Sequence, residues 1–152
     1  MSYKERSIWV SLGILVYIWF NYFTNIFALN NLQELTIEKV NGLLLDVVII
    51  TIVLEVILQI TIAIIDNKDA NYSEDERDKL ISLHGCKYAY FILSTGVFLA
   101  VFYTVFPTLA TYVFPSITLP NGYMVMHLII VFALIAEITN LATKIFYYRR
   151  GF

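Results

Sequence analysis

Glu55 and Gln59 stand one helical turn apart inside "VLEVILQI", Val53 to Ile60, in one of the most apolar runs of the chain. A carboxylate placed there can hold a proton, meet a cation, or fasten helices through hydrogen bonds. The last apolar run repeats the theme, with Glu137, Asn140 and Lys144 at i, i+3 and i+7 on one helical face. A charged acid at mid-bilayer costs about 2.5–3.5 kcal/mol on the insertion scale. Two such acids at similar depth therefore predict that at least one is protonated, shares a proton or meets a cation. Lys144 is the candidate cation on that face. It lies about 10 Å along the axis from Glu137, so either Asn140 or water would have to bridge, or Lys144 snorkels to the cytosolic interface. Asp46 is a third acid, nearer the outer interface and easier to solvate.

Gly13, Tyr17, Asn21 and Asn25 recur every four residues in the first apolar run. Because an asparagine facing lipid would lack partners, this stripe is expected to face other helices. Ser94, Thr95 and Gly96 give a small polar patch in the third run. Two readings of the intramembrane polar layer follow. It is a proton or cation site, or it is interhelical fastening, worth about 1 kcal/mol per hydrogen bond.

The elements that must position these groups are membrane spans. The 152 residues are 59% hydrophobic and 14% charged, with mean hydropathy +0.73, whereas soluble domains are about a quarter charged. That composition predicts an all-α integral membrane protein built as a single transmembrane domain. Four runs are long enough to cross about 30 Å of hydrocarbon: residues 8–28, 43–65, 88–106 and 123–147. The first is too long for the apolar part of a signal peptide, no small-x-small cleavage site follows it, and it is expected to stay in the protein.

Nine of the ten basic residues fall at the N-terminus, in the loop 66–87 or at the C-terminal end; Lys39 is the exception. The positive-inside rule then puts both termini and that loop in the cytosol. Outside lie two short loops. Asn31 with Glu34 suggests a capping box and a second helix starting near Leu32. The other loop holds all three prolines and Asn121-Gly122, with Pro107 ending or kinking the third helix. Aromatic residues crowd the predicted boundaries as interfacial anchors.

The loop 66–87 contains Ser73 and Glu76 in capping-box spacing, with Glu74, Asp75, Glu76 and Asp78 loading the first turns with negative charge. A helix is expected to start near Glu74, extend through the cytosol and continue as the third span. Glu74, Asp75, Glu76, Arg77 and Asp78 form a candidate docking segment for a partner or a cation. "DERDKLISLHG" followed by "CKYAYFILSTGVF" resembles a group of small prokaryotic four-span membrane proteins that share an acidic D-E-R-type segment before the third span. The resemblance implies a bacterial or archaeal cytoplasmic (inner) membrane; it brings no settled activity and no catalytic residue.

Several function classes are disfavoured. A net charge of −2 argues against nucleic acid, which requires a basic face. The single cysteine, Cys86, excludes an intramolecular disulfide and a cysteine-built metal site. His84 and His127 fall at opposite membrane faces, so no shared metal or haem is expected, and no other cofactor. Gly-rich phosphate loops, HExxH and GxSxG are absent. The expectation is a non-enzymatic binding or accessory protein, comparable to membrane subunits and immunity proteins, whose partners are the bilayer and another membrane protein or a second copy of itself. The alternative is a small ion- or proton-coupled transporter or channel, built as a homodimer, with Glu55 and Glu137 as its exchange site.

Overall fold

The computed structural model describes residues 3–32, 34, 36–65, 75–106 and 121–150. Four helices account for nearly all of them: α1 (Tyr3–Asn31), α2 (Ile37–Ile65), α3 (Glu76–Val105) and α4 (Asn121–Arg150). Each has 29 or 30 residues, about 44 Å at 1.5 Å per residue. All four are long and apolar enough to cross a membrane. α2 shows why helix is the outcome. Its Ile- and Val-rich sequence is a weak helix former in water. In hydrocarbon, every backbone donor and acceptor must be satisfied within its own segment. Threonines obey the same constraint, with the hydroxyls of Thr51, Thr61, Thr95, Thr104 and Thr139 each donating to the carbonyl four residues earlier.

The ends differ from the hydropathy boundaries in instructive ways. α1 runs on through Asn31, so Asn31 closes the first helix instead of capping the second. The amide of Leu32 still donates to Ala28, at 3.1 Å. α2 begins at Ile37, where the Thr36 hydroxyl accepts the amide of Lys39 at 3.3 Å. The α3 cap is Asp75, two residues beyond the expected Ser73: its carboxylate accepts the Glu76 amide at 2.7 Å, and Asp78 reaches back to the Asp75 amide. Ser73 and Glu74 lie outside the described residues, as does the proline-rich segment 107–120. The expected single helix through the acidic segment and the third span holds, and it ends at Val105 with Phe106 as its cap, directly before Pro107.

The helices pack in the order α2, α1, α4, α3, each antiparallel to the next. Both described chain ends therefore lie at one end of the molecule, where Arg149 meets Glu5 at 3.0 Å. Between α1 and α2 the core is Ile18, Tyr22, Ile26, Val40 and Val47. α3 and α4 approach most closely, because Gly85 and Gly96 remove side chains where Asn140 and Phe132 of α4 press in. Outside these seams the surface is apolar: Phe20, Ile52, Ile60, Phe91 and Phe98 are each more than half exposed. Such an apolar mantle is what a bilayer covers, and large patches of this kind are rare on soluble monomers.

Candidate functional site

Four polar side chains close the α1–α2 seam. Ser7 and Ser11 sit one turn apart on α1, facing Glu55 and Gln59, one turn apart on α2. The Ser7 hydroxyl donates to Gln59 Oε1 at 2.6 Å, and Gln59 Nε2 donates to Ser11 Oγ at 2.9 Å. The Ser11 hydroxyl then donates to Glu55 Oε2 at 3.1 Å, and Gln59 Nε2 lies 3.4 Å from that same oxygen. Every donation in this chain points toward Glu55, which receives it as an acceptor; bonds aligned in this way polarise one another. A primary amide at the centre of the chain holds its protons on nitrogen, and the bonds as arranged tie α1 to α2. Ser7 and Ser11 were not singled out from the sequence. Their i, i+4 spacing, matching that of Glu55 and Gln59, was the available signal.

Glu137 has different surroundings. It lies at the middle of α4, its side chain is exposed, and it receives a hydrogen bond at 3.4 Å from Asn140 Nδ2. Cross-helix pairs set its depth relative to Glu55. Ser11 is level with Glu55, Tyr22 with His127, and Glu5 with Arg149. On that register Glu137 is level with about residue 14 of α1, some 4–5 Å along the axis from Glu55. The two carboxyls lie about one helical turn apart along the axis and occupy different surfaces: α2 packs on α1 and makes no extensive interface with α4.

The other sequence-derived candidates separate similarly. Lys144 does not bridge to Glu137; it lies at the end that holds both described chain ends, against Gly85 and along a cavity shared with Lys4 and Ser82. Asn140 Oδ1 is buried against Gly85 with no hydrogen-bond donor among the described residues. Asp46 faces outward on α2. Within the single chain the Gly13–Tyr17–Asn21–Asn25 stripe also faces outward: a Cβ at Gly13 would meet nothing within 4 Å, and Tyr17 is 67% exposed. The interface of α1 is taken by Ile18, Tyr22 and Ile26, whose bulk fills the seam. The Asn25 amide is satisfied within α1, donating to the Asn21 backbone carbonyl and to Asn21 Oδ1, both at 3.0 Å. Of the polar patch on α3, Gly96 is buried while Ser94 and Thr95 are exposed.

Two further clusters hold the helices together. At one end the acidic segment is partly consumed: Asp75 caps the helix, and Asp78 accepts the Lys4 ammonium at 2.6 Å and the Tyr148 hydroxyl at 2.7 Å. Burial raises the Asp78 pKa, but the bonds from Lys4 and Tyr148 outweigh it and hold the carboxyl below its ordinary value. Glu76 and Arg77 remain exposed. Arg149, paired with the buried Glu5, also lies over the Trp9 ring at 5.2 Å. Towards the opposite end, His127 Nδ1 donates to the Tyr123 carbonyl at 2.8 Å, which fixes Nε2 as the acceptor of the buried Tyr22 hydroxyl at 2.6 Å. His84 is remote from this pair and stacks near Tyr147. Among the described residues no three His, Cys, Asp or Glu side chains are grouped to hold a metal ion.

Comparison with protein-family models, with curated proteins and with solved structures found no match.

Proposed function

We propose that this chain is a multi-pass protein of a prokaryotic cytoplasmic membrane, with both termini cytosolic, that acts as a non-enzymatic binding or accessory protein. The observation that carries this reading is the contrast between its two mid-depth acids. Glu55 is tied into the α1–α2 clasp, where an acceptor is what the neighbouring donors require. Glu137 faces out of α4 from an otherwise apolar surface, held by one long bond from Asn140. A carboxyl presented to hydrocarbon costs about 2.5–3.5 kcal/mol when ionised, and a neighbouring helix that donates hydrogen bonds removes most of that cost. Glu137 thus marks the face that meets a partner membrane protein or a second copy of the chain. Glu76 and Arg77, exposed beside the capped start of α3, add a polar contact on the cytosolic side.

Reconstitution tests the reading. In proteoliposomes the wild-type chain is expected to move neither protons nor cations, and Glu55→Gln to change stability alone. Proton-linked flux that disappears in Glu55→Gln or Glu137→Gln while both stay folded would replace this reading with the coupled-transporter one. Topology is checked separately by cysteine labelling: position 75 should react from the cytosol and position 117 from outside.

A further inference from the structure

A cavity of about 240 Å³ opens between α1, α3 and α4 at the end holding both described chain ends. Lys4, Lys144, Ser7, Ser82, Tyr148 and Asp78 line it. Its hydrogen-bonding accounts are uneven. Asp78 is fully engaged by Lys4 and Tyr148, and Ser7 gives its proton to Gln59. The Lys144 ammonium and the Ser82 hydroxyl have no acceptor among the described residues. Two ammonium groups face one carboxylate, which leaves one unit of positive charge in the cavity. Ile8 and the buried Ile81 supply an apolar wall.

Unused donors, one excess positive charge and an apolar wall together select a small anion attached to, or next to, something apolar. The volume falls below the range of about 300–1,000 Å³ typical of sites for drug-sized ligands, which suits a phosphate group and is too small for a nucleotide. Basic pockets between helices at a membrane surface take up anionic headgroups, with about 1 kcal/mol from each lysine near the surface.

We propose that this cavity binds a phosphate group, with Lys144 as the main cation, Ser82 as a neutral donor and the Lys4–Asp78 pair fixing the opposite wall. The fit is to the phosphodiester of an anionic phospholipid whose acyl chains lie along the apolar mantle. The site stands on the cavity alone and does not depend on the accessory reading of the preceding section.

Native mass spectrometry of the purified full-length chain in detergent, titrated with phosphatidylglycerol, phosphatidylcholine or inorganic phosphate, tests it. Wild type is expected to retain phosphatidylglycerol in preference to phosphatidylcholine. Lys144→Met should lower that preference about fivefold, the equivalent of one lysine, and Lys144→Arg should restore it. Lys87→Met, which removes an exposed charge of α3 outside the cavity, should bind like wild type. If Lys144→Met does not fold, Ser82→Ala provides the second variant, with a smaller loss of the same preference. Binding of inorganic phosphate through Lys144 without a lipid preference supports the phosphate site and assigns it to a soluble anion. Full retention of lipid and phosphate binding in Lys144→Met overturns the proposal, as does an equal loss in Lys87→Met or the absence of binding by either ligand.

Discussion

The Ser11 hydroxyl of α1 donates to Glu55 Oε2 of α2 at 3.1 Å, and so the carboxylate that looks most out of place in the sequence is the terminus of an interhelical clasp. α2 depends on this more than the other helices do. It packs on α1 alone among its extensive contacts, and its surface is otherwise a run of exposed Ile, Val and Leu. In hydrocarbon, apolar contact between helices carries little driving force. Position and register of α2 are therefore set by Ser7, Ser11, Glu55 and Gln59 together with the packing of Val40 and Val47 on Tyr22 and Ile26.

Removing one member of the clasp gives the first prediction. Ser11→Ala removes both bonds through the Ser11 hydroxyl, leaves only the 3.4 Å contact between Gln59 Nε2 and Glu55 Oε2, and should cost about 1 kcal/mol. Glu55→Gln keeps an acceptor toward Ser11 and should cost less. Reversible unfolding in mixed micelles measures both. Equal stability of Ser11→Ala and wild type would show that the clasp does not hold α2.

Glycine substitutions should divide by position. A Cβ at Gly85 would stand 2.5 Å from Asn140 Oδ1 and 3.0 Å from its backbone carbonyl, and one at Gly96 would overlap the Phe132 side chain. Gly85→Ala and Gly96→Ala should each destabilise the α3–α4 pair by about 1–3 kcal/mol, the usual cost of overpacking. Gly13→Ala enters open space and should be neutral or stabilising by up to about 1 kcal/mol through helix propensity. Thermal unfolding of the three variants in one detergent decides the ranking.

Asp78 gives a pH dependence. Its folded pKa lies below its ordinary value, so its contribution to stability is fully present above the unfolded aspartate pKa of about 3.9. That contribution is lost as pH falls through the lower folded value. Wild type should therefore lose melting temperature on the acid side of this range. Asp78→Asn should start from a lower melting temperature at neutral pH and show a flatter acid limb. Parallel acid limbs in the two proteins would assign the pH dependence to other carboxyls.

Tyr22 and His127 are coupled in a buried site, both less than 10% exposed. Tyr22→Phe removes the donor to Nε2 and leaves a buried acceptor unmatched, at a cost of about 1–3 kcal/mol. A double-mutant cycle with His127→Leu should return a coupling energy of at least about 0.5 kcal/mol; additive losses would mean that the two rings only fill space.

Much of this architecture was legible from the chain, because hydropathy and span length depend on composition over about 20 residues. Four helices, the uninterrupted passage from acidic segment to third span and the stop before Pro107 all follow from such local signals. Which face of each helix turns inward was less legible. The asparagine stripe of α1 looked like an interface because lipid offers asparagine no partner. The i, i+4 spacing that made it a stripe also lets Asn25 bond to Asn21, and the residues turned inward are Ile18, Tyr22 and Ile26. Ser7 and Ser11 gave no hydropathy signal of their own and gained meaning only once α2 was placed beside them. Asn31 illustrates the limit of cap patterns: Asn-x-x-Glu fits a helix start, but Asn31 is the last residue of α1.

The last prediction concerns Glu137. It faces outward whether α4 is packed or separated, so Glu137→Leu should leave the stability of the isolated chain within about 0.5 kcal/mol. The same change should weaken whatever docks on that face. A photo-reactive residue at Ala133, exposed one turn away, provides the assay in native membranes. It should cross-link in the wild-type background to a product whose mass distinguishes a second copy of the chain from a different membrane protein, and Glu137→Leu should reduce the yield severalfold. Loss of folding stability in Glu137→Leu, together with cross-linking to lipid alone in both backgrounds, would place Glu137 among the structural groups and remove the main support for the accessory reading.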